Sequence, residues 1–260
     1  VYTHMLNSDG GIETDLTVVC VDNNHFRIIS SAATRERDKF HINKHLSKNV
    51  KLKDITDDLC VFGLFGPKSR DLLKTLSKDN FENDQFRFGF AKFITIDGVK
   101  IWTQRLSYVG ELGYELYVDL KDTKKIYELL IEKGKDFNLS NCGMHAMDIM
   151  RMESGFLHWG HDISPEENQY QAGLAFTISN KKDVDFIGKQ ALEKIKQDKV
   201  KTRFSMFTLK ESEPGKPLLL HDEPIYDDEK IIGRSTSGNY SFNFKKNLVF
   251  GYINNDFSNE

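Results

Sequence analysis

The 260-residue sequence predicts an α+β fold, and three observations indicate it. Short β-type runs bounded by Gly, Asn and Asp turns alternate with helical stretches, and they join as antiparallel hairpins instead of forming a doubly wound parallel sheet. The 19 Phe and 9 Tyr are spread over the whole length and supply large side chains for a core. Beyond residue 198 only short alternating runs occur, which is typical of a small antiparallel barrel.

The first 65 residues are predicted to contain a hairpin, a helix and two further strands. The hairpin follows a Gly10-Gly11 turn. We expect its strands at 16–21 and 26–30, the helix at 33–46, and the further strands at 50–55 and 59–65.

The middle of the chain continues this alternation. A helix is expected to open at Pro67, where proline suits the first turn. Two strands within 86–105 are joined at Asp97-Gly98, and a strand at 114–118 and helices at 123–133, 143–155 and 189–196 follow. A charged stretch after the last helix places the domain boundary near residue 198, so the predicted domains are 1–197 and 198–260.

Composition excludes several classes of partner. The net charge is −3 with interspersed signs, which gives no basic face for nucleic acid or an anionic membrane. No apolar run approaches the roughly 18 residues needed to span a bilayer. Three widely spaced cysteines without a CxxC pair favour a reducing compartment, either bacterial cytoplasm or the mitochondrial matrix.

Three segments are unusual enough to predict a site. In GGIETDLTVV, Asp15 interrupts an apolar strand directly after a Gly-Gly turn, and strand alternation places it with Thr17 on the face opposite Ile12. An ordinary surface carboxylate explains the same pattern. In SYVGELGYELYV, two glycines present Tyr108 beside a tight turn, which a plain hairpin also explains.

The third segment is DIMRMESGFLHWGHDIS, residues 148–164. Glu153 stands in the last turn of a helix, where the helix dipole disfavours a carboxylate, so a compensating partner is expected. The nearby His158, His161 and Asp162 have no third His or Cys beside them, so no metal site is predicted.

Together these segments resemble the glycine-cleavage T-protein (aminomethyltransferase) family, most closely the C-terminal folate-binding region of the dimethylglycine and sarcosine dehydrogenases. Further landmarks are DITDDLCVFGLFGPKSRDLL, the GxxAxDxxRxExGxxxWGxD pattern of residues 143–162, DFIGKQAL at 185–192 and GRSTSGNYSF at 233–242. The landmarks occur in order over essentially the whole chain.

The resemblance implies a cloverleaf of ferredoxin-like lobes with a C-terminal antiparallel β-barrel, arranged around a tetrahydrofolate site. It implies that 1–197 is the folate-binding domain and 198–260 the barrel. In this reading Asp15 is catalytic, and it orients folate and stabilises positive charge or relays a proton. The implied cofactor-binding residues are Glu153, which grips the pterin, with Tyr108, Trp159, Thr17, Ile29 and Ser31; Ser31 stands where T-proteins often carry Asn.

The implied activity is capture of an aminomethyl or iminium one-carbon unit to give methylenetetrahydrofolate. The expected partners are the folate, an amine-derived donor, and a flavin dehydrogenase domain or a lipoyl carrier protein. No GxGxxG fingerprint occurs, so FAD is expected only on another domain or partner. Family members extend beyond both Val1 and Glu260, so we expect the chain to be truncated at both ends.

Three other readings remain within the same architecture. One is a glycine-cleavage T-protein proper, and another is a non-catalytic interaction module like the regulatory subunit of pyruvate dehydrogenase phosphatase. The presence of both Asp15 and Glu153 favours an enzyme over the module. The third, an iron-sulfur-linked folate protein, has little support because a KGCYxGQE-like stretch is absent at 185–192.

Overall fold

The computed structural model describes residues 1–179 and 184–257. The chain divides into two compact units. The first unit combines Val1–His41 with Arg151–Glu260, and the second is Ile42–Met150. The domain boundary expected near residue 198 stays a prediction.

The first unit opens with a three-stranded antiparallel sheet in the order β1-β2-β3, formed by β1 (Tyr2–Leu6), β2 (Ile12–Asp22) and β3 (His25–Ser30). The hairpin of β2 and β3 confirms the sequence prediction, whereas β1 was not predicted. Along β2, Ile12 and Leu16 are buried, while Asp15 and Thr17 point to the other face and are half-buried. The strand alternation read from the sequence is therefore correct.

The buried face of this sheet contributes to one apolar cluster. Leu6 and Ile12 pack there with Leu157, Ile163 and Leu192, the last of which lies on α5 (Lys189–Asp198). The turn before β2 is close-packed as well. A Cβ at Gly11 would approach the carbonyl oxygen of Pro165 to 1.8 Å, so only glycine fits the backbone at this point.

The C-terminal part of the first unit is a four-stranded antiparallel sheet in the order β8-β11-β10-β9. Its strands are β8 (Thr202–Thr208), β9 (Pro224–Asp227), β10 (Lys230–Ser241) and β11 (Lys246–Asn254). Phe250 in the central strand β11 is fully buried, with its ring 5.0 Å from that of Phe204. The short alternating runs of the sequence thus form the expected antiparallel β-structure.

The second unit is a four-stranded antiparallel sheet, in the order β4-β7-β6-β5, with helices packed on it. The strands are β4 (Leu59–Phe65), β5 (Ala91–Ile96), β6 (Val99–Gln104) and β7 (Gly113–Asp119), and the helices of this part of the chain are α2 (Ser69–Leu76), α3 (Thr123–Gly134) and α4 (Met144–Glu153). Leu72 and Leu73 of α2 and Ile126 of α3 join buried residues of the sheet in one core.

One prediction for the early chain is confirmed and another needs correction. The helix expected at 33–46 is α1 (Arg35–His45), preceded by a single 3-10 turn (Ala32–Thr34). The strand expected at 50–55 is wrong, because these residues form neither strand nor helix. The Asp54 side chain accepts a hydrogen bond from the Thr56 amide, an arrangement that favours a turn over an extended strand.

Within the described residues, no helix is both long and apolar enough to cross a membrane.

Candidate functional site

Asp15 lies on the face of the three-stranded sheet opposite buried Ile12 and Leu16, and neighbouring strands bring other side chains to it. His4 of β1 is directly opposite Asp15, and Tyr2 is opposite Thr17. Ile29 of β3 is opposite Thr17 on the other side. Because directly opposed residues share a face, Asp15, Thr17 and Ile29 stand together with Tyr2 and His4.

The carboxyl group of Asp15 is held in an unusual electrostatic setting. Burial raises its pKa from 3.8 to about 7; a hydrogen bond with Tyr2 opposes the rise, and the charge of Asp38 adds to it. Asp38 itself is buried on α1, and its Oδ2 accepts a 2.6 Å hydrogen bond from the Thr34 hydroxyl. A carboxyl group that titrates near neutrality can both donate and accept a proton.

His4 is the other titratable group on this face. Burial lowers its pKa from 6.5 to about 4, so the imidazole is neutral at pH 7. Its Nε2 lies 3.1 Å from the Tyr2 hydroxyl and its Nδ1 lies 3.2 Å from Thr177 Oγ1. The sequence pattern did not single out Tyr2 or His4, because it did not predict β1 as a strand.

Ser31 follows β3 directly and has a local structural role. Its hydroxyl accepts a 3.3 Å bond from the Ala33 amide and caps the 3-10 turn that precedes α1. Extending the β2–β3 register by one residue would place Ser31 opposite Asp15. Its predicted part in the site remains a prediction.

Trp159 is attached to the strand that carries Asp15. The indole Nε1 donates a 3.0 Å hydrogen bond to the Ile12 carbonyl. The guanidinium of Arg37 lies 4.4 Å from the centre of the Trp159 ring and pairs with Glu13 at 2.5 Å. Glu13 and Asp15 are on the same side of β2, so Arg37 is a further site-facing residue that the sequence did not single out.

Glu153 has the partner that its unfavourable place at the helix end required. Ser241 donates a 2.5 Å hydrogen bond to one carboxylate oxygen, and the Asn243 side chain donates a 2.6 Å bond to the other. Both residues come from the end of β10 and the turn after it, where Ser241 also accepts a bond from the Phe244 amide. The C-terminal sheet therefore fixes the orientation of Glu153.

Arg151, two residues before Glu153, forms a buried ion pair with Asp162. Arg151 and Asp162 are each 1% exposed, and their side chains approach to 2.5 Å. Ser237 accepts a 2.7 Å bond from Arg151 and donates one of the same length to Asp162, and the Thr236 hydroxyl donates to Asp162 at 2.6 Å. The role of Asp162 is thus structural, and its sequence spacing from Arg151 did not reveal the pairing.

The two histidines of the HxxHD stretch stack on each other. The rings of His158 and His161 are stacked with centroids 4.4 Å apart. Among the residues that the structure describes, no group of three or more His, Cys, Asp and Glu side chains is arranged to hold a metal ion.

Tyr108 belongs to the second unit, in the loop between β6 and β7. The side chain is half-buried, and the loop packs closely on the start of β7. A Cβ at Gly113 would lie 2.8 Å from both the Leu106 carbonyl and the Ser107 side chain, so glycine permits this approach. The participation of Tyr108 in a folate site stays a prediction.

Comparison with family models identifies both parts of the chain. Residues 1–182 match the GCVT N-terminal domain, and residues 203–260 match the glycine cleavage T-protein C-terminal barrel domain. The chain therefore belongs to the glycine-cleavage T-protein (aminomethyltransferase) family, as the sequence landmarks indicated.

The relatives include both branches that the resemblance suggested. The chain is 33% identical to mitochondrial dimethylglycine dehydrogenase of Homo sapiens over 96% of its own length, and it spans 29% of that protein. It is 31% identical to the aminomethyltransferase of Halothermothrix orenii, with 98% of this chain and 70% of that protein covered.

A solved structure shares the fold. The glycine cleavage system aminomethyltransferase T from Bartonella henselae superposes with a TM-score of 0.83 at 20% identity, over 97% of this chain and 67% of that one. The predicted α+β fold of the T-protein type, with a C-terminal barrel domain, is confirmed.

Proposed function

We propose that this chain is a tetrahydrofolate-dependent one-carbon transfer domain that forms methylenetetrahydrofolate from an amine-derived donor. The observation that carries the proposal is Asp15. It stands on the sheet face opposite the apolar core, and its pKa is raised by burial to about 7. A surface carboxylate with only a solvation role would titrate near 4.

The polar side chains of the first unit fit a reduced folate. The pterin ring offers an N–H and an amino group side by side, and Glu153 offers two carboxylate oxygens. Each oxygen has a second lone pair, so the bonds from Ser241 and Asn243 leave room for two more donors. Charge-assisted hydrogen bonds of this kind contribute about 1.5 to 3 kcal/mol each.

The neighbouring residues have separate tasks in this proposal. Trp159 supplies an aromatic surface, and its hydrogen bond to Ile12 holds the ring at the start of β2. Thr17, Ile29 and Ser31 line the sheet face around Asp15. Tetrahydrofolate, when bound, supplies the nucleophilic nitrogens that accept the one-carbon unit, while Asp15 orients the acceptor and moves the proton.

The wider system proposed is that of a dimethylglycine or sarcosine dehydrogenase. The oxidation of the amine and its FAD belong to a different domain or partner in this proposal. A T-protein proper, working with a lipoyl carrier, is the alternative. A location in bacterial cytoplasm or the mitochondrial matrix is consistent with relatives of both kinds.

Calorimetric titration of the chain with 5-formyltetrahydrofolate tests the proposal. We expect saturable binding that weakens by at least tenfold in Glu153→Gln, because the amide can accept only one of the two pterin bonds. Glu229→Gln, an exposed residue of the β9–β10 turn, is the matched control and should bind normally. Circular dichroism of each variant verifies folding.

Two results would decide against an enzyme. The absence of binding by a folded chain would contradict the proposal outright. Binding with no one-carbon transfer, unchanged by Asp15→Asn, would instead identify a non-catalytic module of the same fold.

A further inference from the structure

The four-stranded sheet of the second unit has two edge strands, β4 and β5, and the β5 edge is protected. The Thr95 amide of β5 donates a 2.8 Å hydrogen bond to Asp79 Oδ2, and the Lys92 ammonium group donates to the Asn80 carbonyl. A side chain and a charged residue thereby occupy the place that a further strand would take. The β5 edge is therefore blocked for strand addition.

The β4 edge has no such protection. Its sequence, LCVFGLF, contains neither a charged residue nor a proline, the residue types that usually discourage edge pairing. In the part of the chain that the structure describes, β7 is the only strand hydrogen-bonded to β4. Val61 is 50% exposed, and Gly63 is exposed as well. An accessible apolar edge of this kind is a template for pairing with another strand.

The register of β4 and β7 shows which backbone groups face away from the sheet. Gly66, the residue after β4, donates its amide hydrogen to the Leu112 carbonyl and continues the register of the two strands. Hydrogen-bonded residues alternate along an antiparallel ladder, so the even-numbered residues of β4 bond to β7. The amide and carbonyl groups of Val61, Gly63 and Phe65 therefore point outward.

These outward groups fit a second copy of the same strand. If two β4 strands pair antiparallel about a two-fold axis at Phe62, each Val61 lies opposite Gly63 of the second copy, and the two residues exchange backbone hydrogen bonds. Glycine leaves room for the valine side chain. We propose that the β4 edge is a self-association surface, through which two copies of the chain join their four-stranded sheets into one continuous antiparallel sheet. The inference concerns the second unit and does not rest on the proposed function.

The charges at the two ends of β4 complement each other in this arrangement. Asp57 and Asp58 precede the strand and are exposed, and Lys68, which follows it, is exposed too. Since the two strands run in opposite directions, the acidic end of each lies beside the basic end of the other. A parallel pairing would instead place like charges together, which is destabilising.

An aromatic pair lies beside the proposed axis on the helix side of the sheet. The ring centroids of Phe62 and of Tyr127 on α3 are 5.9 Å apart, and Tyr127 is 39% exposed. A second copy brings the same pair to the other side of the axis, so these rings are withdrawn from water together. Aromatic side chains are enriched in such interfaces. Because one short strand and two rings per copy make a small contact, we expect a weak dimer that forms as the concentration rises.

Amide hydrogen exchange, measured by NMR at low and at high protein concentration, tests the pairing residue by residue. Exchange at Val61, Gly63 and Phe65 should slow by about tenfold or more at the high concentration, because their amides gain acceptors. Cys60 and Leu64, which already bond to β7, should change little. Sedimentation velocity should show monomer converting to dimer over the same range. A chain that stays monomeric, or exchange that slows equally at both sets of residues, overturns the proposal.

A proline at the centre of the edge tests the same contact by substitution. Val61→Pro removes an outward amide and leaves the bonds to β7 in place, so it should weaken dimerisation by about tenfold or more in a chain that still folds. Val61→Thr, which keeps the amide and a β-branched side chain, is the matched control and should dimerise like the parent chain. Circular dichroism verifies folding. Unchanged dimerisation of folded Val61→Pro would place the interface elsewhere and contradict the proposal.

A charge exchange tests the direction of the pairing without a strand-breaking residue. Lys68→Glu brings like charges together, so the dissociation constant of the dimer at low salt should increase about threefold to tenfold. Adding Asp58→Lys should recover much of the lost affinity, because opposite charges face each other again. A double variant that dimerises no better than Lys68→Glu alone rejects the antiparallel arrangement and with it the proposed surface.

Discussion

At the residue scale, the buried ion pair of Arg151 and Asp162 stabilises the first unit close to Glu153. Both charges are withdrawn from water, and each is satisfied by the other and by hydroxyl groups of β10. Removing one member of such a pair leaves an uncompensated buried charge, whereas replacing both together is far less damaging. The cost of a single substitution is therefore much larger than the net contribution of the pair.

We expect Arg151→Met to lower the free energy of unfolding by about 3 to 5 kcal/mol. Urea unfolding followed by circular dichroism measures the change. Lys124→Ala removes an exposed ion pair with Glu128 and should cost less than about 1 kcal/mol. Similar losses in the two variants would mean that leaving Asp162 without Arg151 costs no more than losing an exposed ion pair.

Asp15 makes stability depend on pH in a direction opposite to that of most acidic groups. Its folded pKa of about 7 lies above the ordinary value of 3.8, so between these values the folded state binds more protons than the unfolded state. The contribution of Asp15 to stability is therefore present below about pH 4 and is lost as the pH rises through 7.

Asp15→Asn, whose side chain is always neutral, should become more stable relative to the parent chain as the pH rises from 4 to 8. A tenfold change in the protonation constant corresponds to about 1.4 kcal/mol, and we expect at least that difference at pH 8. Urea unfolding at several pH values measures it. His4, whose folded pKa is about 4, loses stability as the pH falls below 6.5, but it does so in both proteins and cancels. A difference that is constant with pH would refute the raised pKa.

At the scale of the element, the Gly10-Gly11 turn sets where β2 begins and thus where Asp15 stands. The Gly11 amide donates a 2.9 Å bond to the Asn7 side chain, and the Ile12 amide donates a 2.9 Å bond to the Glu167 carbonyl. The backbone of β2 is thereby attached to the loop before α5 at its first residue. A shift of this turn would move every residue of the strand.

Gly11→Ala is expected to cost about 1 to 3 kcal/mol or more, because the new methyl group meets the Pro165 carbonyl and the backbone must move. The midpoint of thermal unfolding, compared between Gly11→Ala and the parent chain, measures this loss of stability. Gly143→Ala is the matched control, since a Cβ there meets nothing within 4 Å, and it should be neutral or slightly stabilising. Equal midpoints for the two variants would show that the turn is not closely packed in solution.

At the scale of the whole molecule, the two tryptophans report the two units separately. Trp159 belongs to the first unit and Trp102 to the second. Single-tryptophan variants therefore allow the unfolding of each unit to be followed by fluorescence. This matters because Asp15 and Glu153 of the proposed site both belong to the first unit.

With Trp102→Phe, the transition reported by Trp159 should move to higher urea in the presence of 5-formyltetrahydrofolate. At a ligand concentration 100 times the dissociation constant, the expected gain is about 2.7 kcal/mol. The same titration of a Trp102→Phe/Glu153→Gln double variant should show a much smaller gain. If the urea transition reported by Trp159 does not change with the ligand, folate does not bind to the first unit.

Much of the fold was predictable because its signals are local. Period-2 alternation identified β2, and the Asp97-Gly98 pair identified the hairpin of β5 and β6, because turn chemistry and strand alternation are properties of a few adjacent residues. The stretch 50–55 misled for the same reason. Its apolar residues fit a strand, but extended structure needs a neighbouring strand, and the Asp54 side chain provides a turn instead.

The candidate site was predictable only where the family landmarks named a residue. Asp15 and Glu153 were selected in this way, and strand alternation correctly placed Thr17 beside Asp15. The sequence by itself determined the α+β class, the family and the face on which Asp15 stands, since these depend on short-range pattern and on motif order.

Only the tertiary structure decided which groups meet. The pairing of Arg151 with Asp162 and the anchoring of Glu153 by Ser241 and Asn243 depend on strand register and on contacts between residues far apart in the chain. The bond network of Tyr2 and His4 depends on register as well. The raised pKa of Asp15 follows from burial and from the charge of Asp38, which are properties of the folded surroundings and not of any segment read alone.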